Sequence, residues 1–379
     1  MPGLLPNVDP DGHLEFSVVY TDRALNHMSK RFQGVMTELS RILKTTYGAQ
    51  ACAVVPGGGT YGMEAIARQF ATGRRCLVIR NGWFSYRWTQ ILDAGKIPSA
   101  TTVLKARQTS PEPTAPFAPV AVEAVVATIL AEKPDLVFAP HVETASGILL
   151  PDDYLKQIAQ AVHSYGGLFV LDCIASGAVW VDMKGCGVDI LVSAPQKGWS
   201  GSPGAAFVML GETARKAIDA TTSSSFACDL KKWLQIMETY ENGGHAYHAT
   251  MPTDALKLSC AAMLETEQMG LAAARDAQEA LGRAVRSLLA QRGYPSVAAA
   301  GFEAPGVVVS YTSDPEIQSG RKFLGLGLQT AAGVPLMCDE GESFRSFRIG
   351  LFGLDKLRDV PATVARLADA LDRIRGKAS

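Results

Sequence analysis

Three short stretches carry residue types that could do chemistry together. Lys197 sits in Ser193-Ala194-Pro195-Gln196-Lys197-Gly198-Trp199-Ser200-Gly201, one charge among small, uncharged neighbours. Desolvation lowers the pKa of an amine, and a neutral amine can attack a carbonyl to form a Schiff base. Asp172 closes the apolar run Leu168-Phe169-Val170-Leu171, where a carboxylate faces the crevice at a strand end. Pro56-Gly57-Gly58-Gly59-Thr60-Tyr61-Gly62 separates an apolar run from the helical pattern Met63–Ala71. Backbone N–H groups at such a helix start bind phosphate. Each stretch has a plainer reading: glycines for a tight turn, a capping aspartate, a lysine stem lying along the surface. Gly57, Gly59 and Gly62 match G-x-G-x-x-G, but the next strand ends Ile79-Arg80-Asn81-Gly82 without the acidic residue of a dinucleotide site. No Gly-Lys-Ser/Thr follows either, which excludes a P-loop.

Taken together, the three stretches fit one cofactor. Pyridoxal 5′-phosphate needs a lysine for its imine, a carboxylate against its pyridinium nitrogen and a phosphate cradle. The chain offers them in the order glycine turn, aromatic pair, Asp172, then Lys197 25 residues later. Further pieces are Asn81-Gly82-Trp83-Phe84, His141-Val142-Glu143-Thr144-Ala145-Ser146-Gly147, Tyr247-His248-Ala249-Thr250 and Phe347-Arg348-Ile349-Gly350. On these motifs the sequence resembles the class V aminotransferases of fold type I, nearest to the alanine–glyoxylate and serine–glyoxylate group, over residues 25–355.

The resemblance implies a role for each matched residue. Lys197 carries the internal aldimine, and Asp172 keeps the pyridine nitrogen protonated. Gly58, Gly59 and Thr60 hold the phosphate with Gln196 beside it. Phe84 stacks on the ring, with Trp83 the competing choice. Thr144 contacts the phenolic oxygen, and Ala145 lacks a hydroxyl that some relatives have there. Tyr247 and Thr250 reach the cofactor phosphate of the neighbouring subunit, which implies a homodimer. Arg348 grips the substrate carboxylate as a bidentate fork. The implied reaction is ping-pong transfer of an amino group from a small L-amino acid, of alanine or serine type, to a 2-oxo acid such as glyoxylate or pyruvate.

Plainer readings stand beside these. Trp83 and Phe84 could be core aromatics, Tyr247 and Thr250 loop residues, and Arg348 half of a structural ion pair. His27, His141 and His248 read as polar packing residues, since a freed Lys197 removes the need for a histidine base. The rival within the fold is a lyase, either a cysteine desulfurase or a kynureninase-like enzyme. A desulfurase wants His before the lysine, where Gln196 stands, and a nucleophilic Cys on a mobile loop. Cys338 lies in Pro335-Leu336-Met337-Cys338-Asp339-Glu340-Gly341, among acids that disfavour a thiolate. A rival of another class is a non-catalytic sheet domain that binds a nucleotide or a partner through the glycine turn. One departure from the family is the segment Glu15–Arg23, where relatives have a Gly-Pro-rich stretch. It leaves Tyr20, Arg23 and His27 as unassigned candidates for substrate contact. Arg345 is either a reader of a second acidic group or simply solvated.

The elements that must position these residues follow from periodicity. Ala51–Val55, Cys76–Ile79, Leu136–Ala139, Leu168–Leu171 and Ile190–Val192 read as buried strands. Helical spacing predicts helices around Phe32–Leu43, over Val120–Glu132 and Asp152–Ser164, and one long helix over Pro252–Ala280. Strands are expected at Gly306–Tyr311 and Phe347–Gly350, with a last helix over Leu357–Ile374 and a surface loop over Gln108–Pro119. The fold class is therefore α/β: a mostly parallel sheet with helices on both faces, plus a small α+β domain. The expected division is 20–282 for the large domain, with 1–19 and 283–379 forming the small one.

Composition excludes several other classes. The 379 residues carry 36 Lys+Arg and 37 Asp+Glu, a net charge of −1, which gives no basic field for nucleic acid or membrane surfaces. The seven Cys include no C-x-x-C pair, and the His show no H-x-x-x-H or H-E-x-x-H pattern, so neither a disulfide framework nor a metal centre is expected. The first residues lack a signal-peptide pattern and no apolar stretch is long enough to span a membrane, so the expected setting is the cytoplasm.

Overall fold

The computed structural model describes residues 7–376; residues 1–6 and 377–379 of the expected small domain lie outside them. A seven-stranded sheet organises residues 51–210. Its strands are β1 (Ala51–Pro56), β2 (Arg75–Arg80), β3 (Ala100–Lys105), β4 (Leu136–Pro140), β5 (Leu168–Asp172), β6 (Ile190–Ser193) and β7 (Ala205–Leu210), in the order β1-β7-β6-β5-β4-β2-β3. Only β7 runs against its neighbours; pairing antiparallel to both β1 and β6, it leaves all six other strands pointing the same way. The loops after β1, β2, β4, β5 and β6 therefore gather along one edge, and the expected cofactor residues up to Lys197 lie at these strand ends, on the loops or at the helix starts that follow them.

Helices α1 (Lys30–Tyr47), α2 (Gly59–Phe70), α3 (Trp83–Gly95), α4 (Val122–Glu132), α5 (Asp152–His163) and α6 (Leu230–Glu241) accompany this sheet. Phe32, Met36, Leu39, Ile42 and Leu43 of α1 are all buried, as their spacing predicts. Ser29 caps the helix by accepting from Phe32 N–H at 3.1 Å, and Gly48 ends it in the left-handed region at φ 65°. A second layer holds β8 (Val307–Tyr311), β9 (Ala331–Ala332) and β10 (Ser346–Gly350) in the order β8-β10-β9, all antiparallel. The long helices that follow α6 are α7 (Thr253–Met269), α8 (Leu271–Gln291) and α9 (Val360–Ile374), with three four-residue helices between α8 and α9. A separate apolar cluster joins Leu281, Val285 and Leu289 to Phe347, Leu367 and Leu371 beneath the small sheet.

Two expectations are corrected. The long helix over Pro252–Ala280 is two helices, α7 and α8, divided at Gly270 with φ 90° and ψ 126°. Its Ala-, Leu- and Glu-rich composition hides a backbone state that only glycine adopts without strain. Nor is Gln108–Pro119 merely a loop, because Arg107–Gln108 pairs with Phe117–Ala118 and the Phe117 side chain is buried. Sequence reading also passed over β3, β7 and α6. β7 reads Ala-Ala-Phe-Val-Met-Leu, with a single β-branched residue, so its type was ambiguous by composition.

Gly270→Ala should cost about 1–2 kcal/mol, because the new Cβ would have to sit at positive φ. Denaturant melts would check this, and an unchanged midpoint would contradict it.

Candidate active site

The glycine turn leads from β1 into α2. Gly58 is the N-cap and offers no capping side chain, so the first N–H groups of α2 are left without one. A Cβ on Gly59 would collide with the Ile174 side chain, which sets the helix start directly against the loop that follows Asp172. A Cβ on Gly58 would meet nothing within 4 Å, so the space in front of the helix is open. Thr60 accepts a hydrogen bond on Oγ1 from Arg87 Nη1 at 3.0 Å.

Asp172 ends β5 at 8 % exposure, and its Oδ1 accepts from Ile174 N–H at 3.0 Å. Burial pushes its pKa up to about 7; the Glu143 charge adds to this, while the Ile174 N–H and the Arg87 charge oppose it. Asp172 makes no ion pair among the described residues. It is a buried carboxylate lacking a cation, as expected of a group that awaits a protonated ring nitrogen.

Lys197 lies four residues beyond the end of β6 and is partly buried. A Cβ on Gly198 would overlap the Gly177 carbonyl, so the two backbones pass closely enough to fix the lysine's position. Its Nζ lies 5.4 Å from the centre of the Phe352 ring. Burial and then the charge of Arg348 lower its pKa. Arg348 projects from β10, and its Nε donates to the Ala332 carbonyl at 2.8 Å. Burial depresses this guanidinium too, partly offset by Glu143, and it has no ion-pair partner among the described residues.

Phe84 lies beside two guanidinia, 5.4 Å from that of Arg348 and 5.3 Å from that of Arg87. Trp83 instead contacts Tyr86, at 5.8 Å between rings. Glu143 holds this end of α3 in place. Fully buried, it accepts from Phe84 N–H (3.2 Å), Ser85 N–H (2.8 Å), the Ser85 hydroxyl (2.6 Å) and Ala145 N–H (2.9 Å). It supplies the helix-start carboxylate that the local sequence of α3 lacks.

Other expected residues lie at the rim. Thr144 is partly exposed, and the Gln196 side chain is exposed. Tyr247 is 53 % exposed, and its hydroxyl lies 3.2 Å from Thr250 Oγ1, so the pair faces outward. Tyr20 donates to the Met251 carbonyl at 3.2 Å, and His27 packs its ring 5.6 Å from both Tyr20 and Tyr247. Those two candidates for substrate contact therefore brace the Tyr247 loop. Arg23 and Arg345 are exposed. His141 is buried, with Nδ1 2.7 Å from Ser176 Oγ, and burial pushes it down to about 4, which leaves it neutral. Cys338 is buried, and desolvation raises its thiol to about 12. Its loop is also pinned, because Glu340 accepts from the N–H groups of Leu336, Met337 and Cys338. A desulfurase nucleophile wants the opposite on both counts.

Sequence reading missed Glu143, Arg87 and Phe352. Glu143 lay inside a quoted motif, but its partners are 58 and 59 positions away in sequence. Arg87 was legible in principle, since it follows Phe84 by three residues on one helix.

Residues 20–308 match the family described as aminotransferase class-V, and the chain belongs to it. A 2-aminoethylphosphonate–pyruvate transaminase from Paraburkholderia phymatum is 27 % identical over 351 residues, covering 91 % of this chain and 89 % of the relative. An alanine–glyoxylate aminotransferase from Nostoc sp. superposes with a TM-score of 0.77 at 22 % identity, covering 92 % and 88 % of the two chains. A pyridoxamine–pyruvate aminotransferase from Mesorhizobium loti gives 0.78 at 17 % identity, covering 95 % and 87 %. The protein is a pyridoxal phosphate-dependent aminotransferase of class V. The open helix start, the cation-free Asp172 and the desolvated Lys197 fit that cofactor's phosphate, ring nitrogen and aldehyde.

Asp172→Asn should stabilise the cofactor-free protein at pH 8. The carboxyl's folded pKa of about 7 lies above its ordinary value of 3.8, so ionisation costs stability as pH rises between the two. Thermal melts of variant and wild type should converge near pH 4, and equal melts at pH 8 would contradict this.

Proposed function

We propose that this transaminase moves an amino group between a small amine donor and a short 2-oxo acid, with pyruvate the favoured acceptor. One observation carries the reading. The fork of Arg348 has its Nε tied to a carbonyl and, among the described residues, both terminal nitrogens without a carboxylate, next to Lys197. That is the arrangement a substrate α-carboxylate would complete. Pyruvate is supported by the name of the Paraburkholderia phymatum relative, and a donor of alanine or serine type by the motif resemblance.

The chain's residues divide the work as follows. Arg348 fixes the carboxylate, which orients the substrate's Cα toward Lys197. The lowered pKa of Lys197 makes a neutral Nζ available to take the Cα proton. Phe84, set by Glu143, forms the floor, and Phe352 covers the amine. Bound here, pyridoxal phosphate supplies a conjugated ring that accepts the electron pair left on Cα. Asp172 holds the proton at the ring nitrogen. Gly58, Gly59 and Thr60 take the phosphate, with Gln196 at its rim and Thr144 near the phenolic oxygen. Tyr247 and Thr250, exposed on one loop, act on the neighbouring subunit's phosphate in a homodimer. The division into a 20–282 domain and a small domain of 1–19 and 283–379 places Arg348 on the smaller part.

The test is a spectral half-reaction screen with L-alanine, L-serine and 2-aminoethylphosphonate, followed by pyruvate or glyoxylate. Arg348→Ala should raise KM for the 2-oxo acid about ten- to a hundredfold. No donor response in the screen, or an unchanged KM, would overturn the reading.

A further inference from the structure

The site holds a second guanidinium that the motif comparison leaves without a role. Arg87 lies one turn beyond Phe84 on α3, so both side chains share a face. Its Nη1 donates to Thr60 Oγ1, at the second residue of α2, and its guanidinium carbon stays 5.3 Å from the Phe84 ring. Other partly buried arginines are paired: Arg68 with Glu64 at 2.7 Å, Arg215 with Glu238 at 2.8 Å and Arg292 with Asp372 at 2.6 Å. Arg80 and Arg286 donate to the carbonyls of Met337 and Ala304. Arg87 has neither a carboxylate nor a carbonyl among the described residues. Its one side-chain bond is to a neutral hydroxyl, which uses one of five donors.

We propose that Arg87 completes the phosphate cradle, binding the cofactor's phosphate dianion together with Thr60 and the uncapped start of α2. The inference deepens the cofactor site proposed above and rests on it. Three features converge on one point. α2 starts without a side-chain cap, the space before Gly58 is open, and the guanidinium is already bonded to the hydroxyl at that helix start. A dianion there would gain the helix-end N–H groups and the remaining donors of a planar fork. The two guanidinia around Phe84 then serve different anions. Arg87 faces the end where the glycine turn lies, and Arg348, anchored on Ala332, faces the substrate carboxylate.

The test is a titration of cofactor-free wild type, Arg87→Lys and Arg87→Met with pyridoxal phosphate and, separately, with pyridoxal, in phosphate-free buffer. Arg87→Met should weaken pyridoxal phosphate binding about ten- to a hundredfold, with Arg87→Lys between it and wild type. Binding of pyridoxal, which has no phosphate, should be the same in all three. An equal loss for both ligands would show that Arg87 matters only through packing on Phe84 and would overturn the inference, as would no loss for either. Unchanged pyridoxal phosphate binding with a half-reaction lost only for 2-aminoethylphosphonate would also overturn it, assigning Arg87 to the substrate's phosphonate. A wild type that binds no pyridoxal phosphate would instead sink the cofactor site itself.

Discussion

Two basic groups, Lys197 and Arg348, share a partly desolvated pocket, and among the described residues neither has a carboxylate as an ion-pair partner. Each is disfavoured by burial, and Arg348 further disfavours protonation of Lys197. Such an arrangement persists only where the surrounding fold imposes it, and a bound anion relieves it. The nearest buried acid that acts on Arg348, Glu143, has its oxygens committed to the start of α3. Among the described residues the site is thus short of negative charge around Lys197 and Arg348, while Asp172 has no ion-pair partner.

The sheet direction turns this imbalance into geometry. One reversed strand, β7, closes the sheet between β1 and β6 while keeping the other carboxyl ends on a single edge. Close backbone approaches then set the spacings. Gly59 lies against Ile174 and ties the helix start to the Asp172 loop, and Gly198 lies against Gly177 and ties Lys197 to the same loop. The cation on β10 comes from a different sheet with its own apolar cluster, and a further cluster that joins Val307 and Val309 of β8 to Ala145 and Ala175 holds that sheet against the loops of the large one.

Much of this was legible in the sequence, for physical reasons. β1, β2, β4, β5 and β6 are short apolar runs bounded by Gly, Pro or Asp, a pattern that burial on both faces imposes, whereas β3, Ala-Thr-Thr-Val-Leu-Lys, is half polar and only partly buried. Asp172 and Lys197 stood out because each was a lone charge beside an apolar strand. What was not legible depended on contacts distant in sequence or on single dihedrals. The division between α7 and α8 rests on the backbone of Gly270 inside a helix-rich composition. β7 has a single β-branched residue, and Glu143 reads as one acid in a loop until α3 is folded onto it. The choice of Phe84 over Trp83 was open in sequence, whereas in the fold Phe84 lies beside both guanidinia.

The most direct test is to reduce the pyridoxal phosphate-loaded protein with borohydride, digest it and locate the pyridoxyl group by mass spectrometry. The label is expected on the peptide carrying Lys197, with none in Lys197→Ala. A label on another lysine, or one that survives that substitution, would contradict it.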